Sequence, residues 1–197
     1  MLDVAGTIEA ALVRRTVAKA RSGDPEAIAR LYDLFAARVY RFALVRVESR
    51  ADAEDILQQT FVKMIEALPR YEDRGLPFAA WLFRIARNSM IDLARADRGH
   101  ADLDAVGEHP DERRGPAEQA EAASDRTAVR AAISRLTPDQ RTVIEYRFFA
   151  GLSHREIARL MDRNDGAIRA LQFRAVEALH DDLGPLMDLA EPRGAEA

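Results

Sequence analysis

The chain contains no cysteine. Disulfides, thiolate zinc sites and cysteine nucleophiles are therefore excluded, and the absence fits a reducing cytoplasm. No apolar run approaches the ~20 residues needed to span a bilayer. The opening MLDVAGTIEAALVRR also lacks the basic-then-apolar order of a signal peptide. A soluble, cytoplasmic protein without membrane insertion is expected. Histidine is scarce, at four residues, and His154 with Glu156 fits a helix start better than a catalytic pair. The run Asp162-Arg163-Asn164-Asp165-Gly166 superficially matches a calcium loop. Its glycine comes one place early, however, and Phe173 occupies the position that needs a glutamate ligand. No metal, no cofactor and no enzymatic activity are expected.

Period-two alternation is also missing, whereas helical signals dominate, so the expected fold is all-α. Ile8 to Ala20 forms a first helical segment. Ser22-Gly23-Asp24-Pro25 then turns the chain, with Asp24 as cap and Pro25 at the first helical position. The following helix has a broad apolar face of Ile28, Leu31, Tyr32, Leu34, Phe35, Val39, Phe42 and Ala43. A third helix is expected from Asp52 to just before Pro69. Ile56, Phe61, Ile65 and Leu68 suit its buried side, and Asp52, Asp55, Gln59, Lys63 and Glu66 its polar side. In the loop PRYEDRGLP, Tyr71 either folds back on the core or offers a stacking surface; after it, a helix from Phe78 to Arg95 turns Phe78, Trp81, Leu82, Ile85, Ser89 and Leu93 inward. Its other side carries Arg84, Arg87, Asn88, Ile91 and Arg95. Arginine with asparagine opposite a firm apolar face suits a helix lying along nucleic acid, since arginine neutralises phosphates and asparagine bonds base edges.

Periodicity disappears from Ala96 to Ala123, where Asp, Glu, Gly, Pro and Ala dominate. It returns at Val129, Ile133 and Leu136. Thr137-Pro138 then caps a helix that carries Val143, Ile144, Tyr146, Arg147 and Phe148 to a C-cap at Gly151. Two helical domains, 1–96 and 124–183, are thus expected around an acidic linker, 97–123, with a flexible tail at 184–197.

The overall charge of −4 is small and unevenly placed. Residues 1–96 hold 15 basic against 13 acidic side chains, 97–121 hold 3 against 8, and 122–197 hold 11 against 12. Two modules that are mildly basic up to His180 flank an acidic connector. Their sequence-independent phosphate affinity should be modest.

The stretch from Leu152 to Leu179 has the punctuation of a helix-turn-helix. Ser153 and Glu156 have capping-box spacing ahead of Ile157, Leu160 and Met161. Asn164 caps a second helix with Ile168, Leu171, Ala175 and Leu179 inward and Arg169, Gln172, Phe173 and Val176 outward. In such motifs the second helix enters the DNA major groove. An ordinary helical hairpin has the same periodicity.

Together these parts resemble a bacterial RNA polymerase sigma factor of the extracytoplasmic-function type. DAEDILQQTFVKMIEAL (Asp52 to Leu68) is similar to that family's core-binding helix. PFAAWLFRIARNSMIDLARADR (Pro77 to Arg98) is similar to its promoter-melting helix. LTPDQRTVIEYRFFAGLSHREIARLM with the following helix is similar to its minus-35 reader. The resemblance implies a factor that binds core RNA polymerase and directs promoter-specific initiation, with an anti-sigma factor as a further partner. It implies polymerase contacts at Asp52, Asp55, Ile56, Gln59 and Lys63. Minus-ten contacts would come from Tyr71, Arg84, Arg87, Asn88 and Arg95, with Tyr71 helping to capture an unstacked base. Minus-35 contacts would come from Arg163, Asn164, Arg169, Gln172, Phe173 and Arg174.

The recognition helix departs from the family pattern. Gly166, Arg174 and Ala175 match, but Arg169, Gln172 and Phe173 stand at outward positions where the family usually differs, so the promoter sequence is not legible. Arg169 and Gln172 suit guanine or adenine edges, and Phe173 a thymine methyl or the protein itself. The competing reading is a stand-alone helix-turn-helix regulator, which leaves the N-terminal half without a role.

Overall fold

A computed structural model describes residues 4–99 and 116–190, with side chains from 10 to 95 and from 124 to 184. The middle of the expected linker, 100–115, and the end of the expected tail, 191–197, lie outside the described residues. Among the described residues the fold is helical throughout: α1 Val4–Arg21, α2 Pro25–Leu44, α3 Arg50–Ala67, α4 Phe78–Gly99, α5 Pro116–Arg135, α6 Pro138–Ile144, α7 His154–Met161 and α8 Asp165–Ala190.

Local chemistry sets the helix starts. The Asp24 carboxylate accepts from the amides of Glu26 at 2.9 Å and Ala27 at 3.2 Å, with Pro25 at the first position, where a missing N–H costs nothing. Gly23 supplies the positive φ of 86° that the preceding turn requires. Ser49 and Asp52 form a reciprocal capping box at the start of α3, so this helix begins two residues earlier than expected. Thr137 with Gln140, and Ser153 with Glu156, repeat the device on α6 and α7.

Further boundaries differ from expectation. α5 begins at Pro116, so the last eight positions of the expected linker, 116–123, are helical, the run from Pro116 having the alanine and glutamate content of a good helix former. The helix after Thr137 does not stay α-helical to Gly151. It passes at Glu145–Phe149 into a π-helical turn, whose extra residue rotates the faces that follow. Glu145 and Tyr146 are therefore buried, and Phe148 is 60% exposed although its place in the apolar pattern suggests burial. At the other end, α8 continues through Gly184 and Pro185 to Ala190. Proline removes one backbone donor, yet its fixed φ is compatible with the helix.

The main core is built on α2, whose Leu31, Phe35, Val39 and Phe42 are buried against Ile56, Phe61 and Met64 of α3 and Phe78, Leu82 and Phe83 of α4. Ile65 departs from its expected buried place and is 45% exposed. The same core continues into the C-terminal half through Val143, Tyr146, Leu152, Ile157 and Ile168. Leu136, Ile144 and Ala175 form a small satellite cluster under α8. The two helical domains are thus packed on each other. Phe149 lies with its ring centroid 5.8 Å from that of Phe42.

Candidate nucleic-acid and polymerase interfaces

On α4, burial of Leu82, Phe83, Ala86 and Ser89 fixes the helix rotation. Arg84, Asn88, Ile91 and Arg95 then fall on one exposed stripe, at spacings of four, three and four residues. Two cations flank an amide and an aliphatic side chain. Arg87 lies to one side, half-buried, with Nη1 3.4 Å from Thr142 Oγ1. Tyr71 does not project from its loop. It is buried, packed edge-on against Phe78 at 5.5 Å and 4.8 Å from Trp81. Burial raises the pKa of its phenol, Asp73 adds to the effect and Arg21 opposes it.

On α3 the exposed stripe comprises Asp55, Gln59, Val62 and Glu66, with Val62 55% exposed. Three expected polymerase contacts are committed elsewhere. Ile56 is fully buried; an apolar residue three places before Gln59 points into the core, so its expected contact is corrected to a packing role. Asp52 closes the Ser49 capping box. Lys63 crosses to α4, donating to Ser89 Oγ at 3.1 Å and Asp92 Oδ2 at 3.0 Å. Asp55 and Gln59 are exposed.

The C-terminal hairpin pairs α7 and α8 across a tight turn, as the helical punctuation predicts. Asp162 adopts the left-handed region at φ 52° and closes α7. Asn164 Oδ1 accepts from the Ala167 amide at 2.7 Å, so this side chain is occupied as the N-cap of α8. Arg169 and Arg174 are exposed, and Phe173 is 69% exposed. Arg169 Nε lies 2.9 Å from Asp165 Oδ2 one turn earlier. Arg163 pairs with Asp139. Gln172 Oε1 lies 2.7 Å from His154 Nε2, which fixes the amide beside the turn.

A further set of polar residues, not singled out from the sequence, joins the two halves. Arg38 Nε donates to the Phe149 carbonyl at 2.9 Å. Arg130 Nη1 donates to the carbonyls of Val47 at 3.0 Å and Glu48 at 3.3 Å. Arg159 Nη1 donates to the Gly75 carbonyl at 2.7 Å. Arg46 forms an ion pair with Glu145, whose side chain is 6% exposed. One signal was available: Glu145 interrupts the apolar run Val143-Ile144-Glu145-Tyr146, where a carboxylate is either solvated or paired.

Comparison with known proteins gives these surfaces a family. Residues 31–99 match the model of sigma-70 region 2, and residues 126–179 match that of sigma-70 region 4. ShbA of Streptomyces griseus, an ECF RNA polymerase sigma factor, is 34% identical over 186 residues, covering 91% of this chain and 97% of ShbA. The chain belongs to the ECF RNA polymerase sigma factors. This sigma factor is also 35% identical over 174 residues to BldN of Streptomyces coelicolor, covering 87% of the chain but 66% of BldN. It is 31% identical over 191 residues to SigD of Mycobacterium tuberculosis, with 93% and 90% covered. Among solved structures, CnrH in complex with the cytosolic domain of CnrY has a TM-score of 0.63 at 26% identity, covering 90% of this chain and 98% of that one. Sigma factors direct promoter-specific initiation of transcription, so the family accounts for having two helical modules in this order.

Proposed function

We propose that this sigma factor binds core RNA polymerase through the Asp55–Gln59 face of α3, contacts the minus-ten element through α4 and reads the minus-35 element with α8. The single observation that carries this reading is the pairing, in one chain, of the exposed Arg84–Asn88–Arg95 stripe with a capped helix-turn-helix. Arg84 and Arg95 neutralise phosphates, and Asn88 bonds a base edge. Arg169 and Arg174 reach from the exposed side of α8, with Phe173 beside them for an apolar contact. Arg163 and Gln172 take part by exchanging their present partners, Asp139 and His154, for DNA. Asn164 contributes by holding the helix terminus.

Tyr71 captures an unstacked base only if its loop lifts, because its ring is covered in the present packing. Arg87 likewise contacts the minus-ten strand once it leaves Thr142. Polymerase supplies further DNA contacts, which fits the small net charge of the chain. Its place of action is the cytoplasm, and its role is binding without catalysis. A regulatory protein that occupies the promoter-reading form, as an anti-sigma factor does, fits the similarity to CnrH, a protein seen in complex with the cytosolic domain of CnrY.

The test is runoff transcription with core polymerase on a pool of genomic promoter fragments. Defined start sites that depend on this chain are expected. Absence of both polymerase binding and selective transcripts would leave the stand-alone regulator as the better reading.

A further inference from the structure

Between α1, α2, the loop after Tyr71 and the turn that precedes α7 lies an open cleft of about 810 Å³. That is the size of a pocket for a small organic molecule. Four guanidinium groups line it: Arg14 and Arg21 from α1, Arg38 from α2 and Arg147 from the π-helical turn. The acids that share the lining are Asp73 and Glu156. Asp73 already accepts from the Gly75 amide at 2.9 Å, and Glu156 from the Ser153 amide and hydroxyl, both at 2.7 Å. Four cations thus stand against two acids on one concave surface, and the field they leave favours an anion.

The protein itself holds two of the four in place. Arg38 donates through Nε to the Phe149 carbonyl at 2.9 Å, and its guanidinium lies 5.4 Å from the centre of the Phe35 ring. Gly151, with φ 67°, leaves the room this needs, since a Cβ there would meet Arg38 Nη2 at 2.5 Å. Arg147 donates through Nη1 to the Leu152 carbonyl at 3.0 Å. Guanidinium groups fixed in this way lose little further freedom on binding, and their planar forks match phosphate or carboxylate oxygens. Val17, Phe35, Phe78 and Leu152 add an apolar wall. An inorganic ion would leave that wall wet, whereas an anion with a ring-like body covers it. Arg14 and Arg21 also precede residue 31, where the match to sigma-70 region 2 begins. Half of the cations therefore belong to this chain rather than to the segment that defines the family.

We propose that this cleft is a binding site for a small organic polyanion, a nucleoside diphosphate in chemical class, whose phosphates pair with the arginines while its base covers the apolar wall. The site stands on the cleft alone and uses no part of the promoter reading. Duplex DNA also presents phosphates, but its bases are stacked inside and offer no ring to the wall.

The test uses the full chain without polymerase. Trp81 is the single tryptophan, and its ring centroid lies 4.8 Å from that of Tyr71, which lines the cleft, so its fluorescence reports occupancy. ADP and GDP are titrated beside pyrophosphate, adenosine and a short DNA duplex at equal phosphate concentration. Saturable binding of a nucleotide is expected, with pyrophosphate and adenosine each about tenfold weaker or worse. Bound nucleotide should also raise the thermal midpoint. Arg14→Ala and Arg21→Ala should each weaken the nucleotide about tenfold, the scale of one lost charge-assisted hydrogen bond. Both residues are exposed, so the midpoint without nucleotide should stay where it is. Arg15→Ala, on the same helix but lining a different groove, should change nothing. No saturable nucleotide binding, full affinity in both cleft variants, or an equal loss in Arg15→Ala overturns the site. Pyrophosphate binding as tightly as ADP, or displacement of ADP by the duplex at equal phosphate concentration, overturns it too. Polymerase is absent throughout, so failure here leaves the promoter reading standing, and failure of that reading leaves this site standing.

Discussion

Lys63 ties α3 to α4: its ammonium donates to the fully buried Ser89 hydroxyl at 3.1 Å and to Asp92 at 3.0 Å. In the free protein its partners therefore lie on α4. The Asp92 contact is solvent-exposed and contributes little. The Ser89 bond matters more, since a buried hydroxyl deprived of a partner costs about 1–3 kcal/mol. Lys63→Met should lower the thermal midpoint while leaving the polymerase affinity of the folded protein unchanged. Retained stability with weakened polymerase binding would return Lys63 to the interface.

Ile56 separates the two faces of α3. It is fully buried while Asp55 and Gln59 beside it are exposed. Ile56→Ala should cost about 2–5 kcal/mol of folding stability through the cavity it leaves. Asp55→Ala and Gln59→Ala should leave the melt unchanged and weaken capture by core polymerase. Urea unfolding beside a polymerase pull-down separates the outcomes, and a pull-down indifferent to both exposed changes would move the interface elsewhere.

Tyr71 has a pH signature. Its buried phenol is raised above the ordinary value of 10.0, first by desolvation and then by Asp73. For an acid with a raised folded pKa, the unfolded state loses its proton first, so stability falls as pH rises through the unfolded value. Alkaline titration followed by tyrosinate absorbance should show a late component that disappears in Tyr71→Phe. The variant should also lose less stability than the parent between neutral and alkaline pH. Loss in Tyr71→Phe of a component at the ordinary value of 10.0, with the late component absent or unchanged, would place the ring in solvent.

How much was legible from the sequence divides by the range of the forces involved. Asp24, Thr137, Ser153 and Asn164 are visible as caps because each acts within three residues of itself. The inward faces of α4 and α8 follow from period 3.6. Phe148 was misplaced because one π-helical turn shifts the register without any marker residue. Tyr71 in its polar loop was open to either folding back on the core or offering a stacking surface, and Phe78 and Trp81, one helical turn apart, draw it under cover. The polar contacts that join the two halves were invisible for a different reason. Arg38 and Phe149 are separated by 111 positions, and nothing local in an arginine announces a distant carbonyl.

The α4 stripe makes separable predictions. Arg84 and Arg95 should act through phosphates, so changing either to Ala should weaken all promoters alike and flatten the salt dependence by about one counterion. Asn88→Ala should instead change which minus-ten sequences are used. Transcription from a panel of minus-ten variants at two salt concentrations distinguishes them. An Asn88 variant that weakens every promoter equally would reassign that residue to positioning.

Arg169 poses the sharpest question about the recognition helix. In the free protein its guanidinium bonds Asp165 one turn earlier, with both side chains substantially exposed. Such a pair contributes only a few tenths of a kcal/mol, so DNA displaces Asp165 readily if a guanine edge offers two acceptors. Arg169→Ala should therefore cost about 1–3 kcal/mol at promoters with the preferred minus-35 base and almost nothing at those lacking it. Asp165→Ala should release Arg169 and remove a carboxylate from the DNA-facing end of α8, raising affinity across promoters. Equal losses for Arg169→Ala at every minus-35 sequence would make it a phosphate contact, and the reading of bases would pass to Phe173 and Arg174.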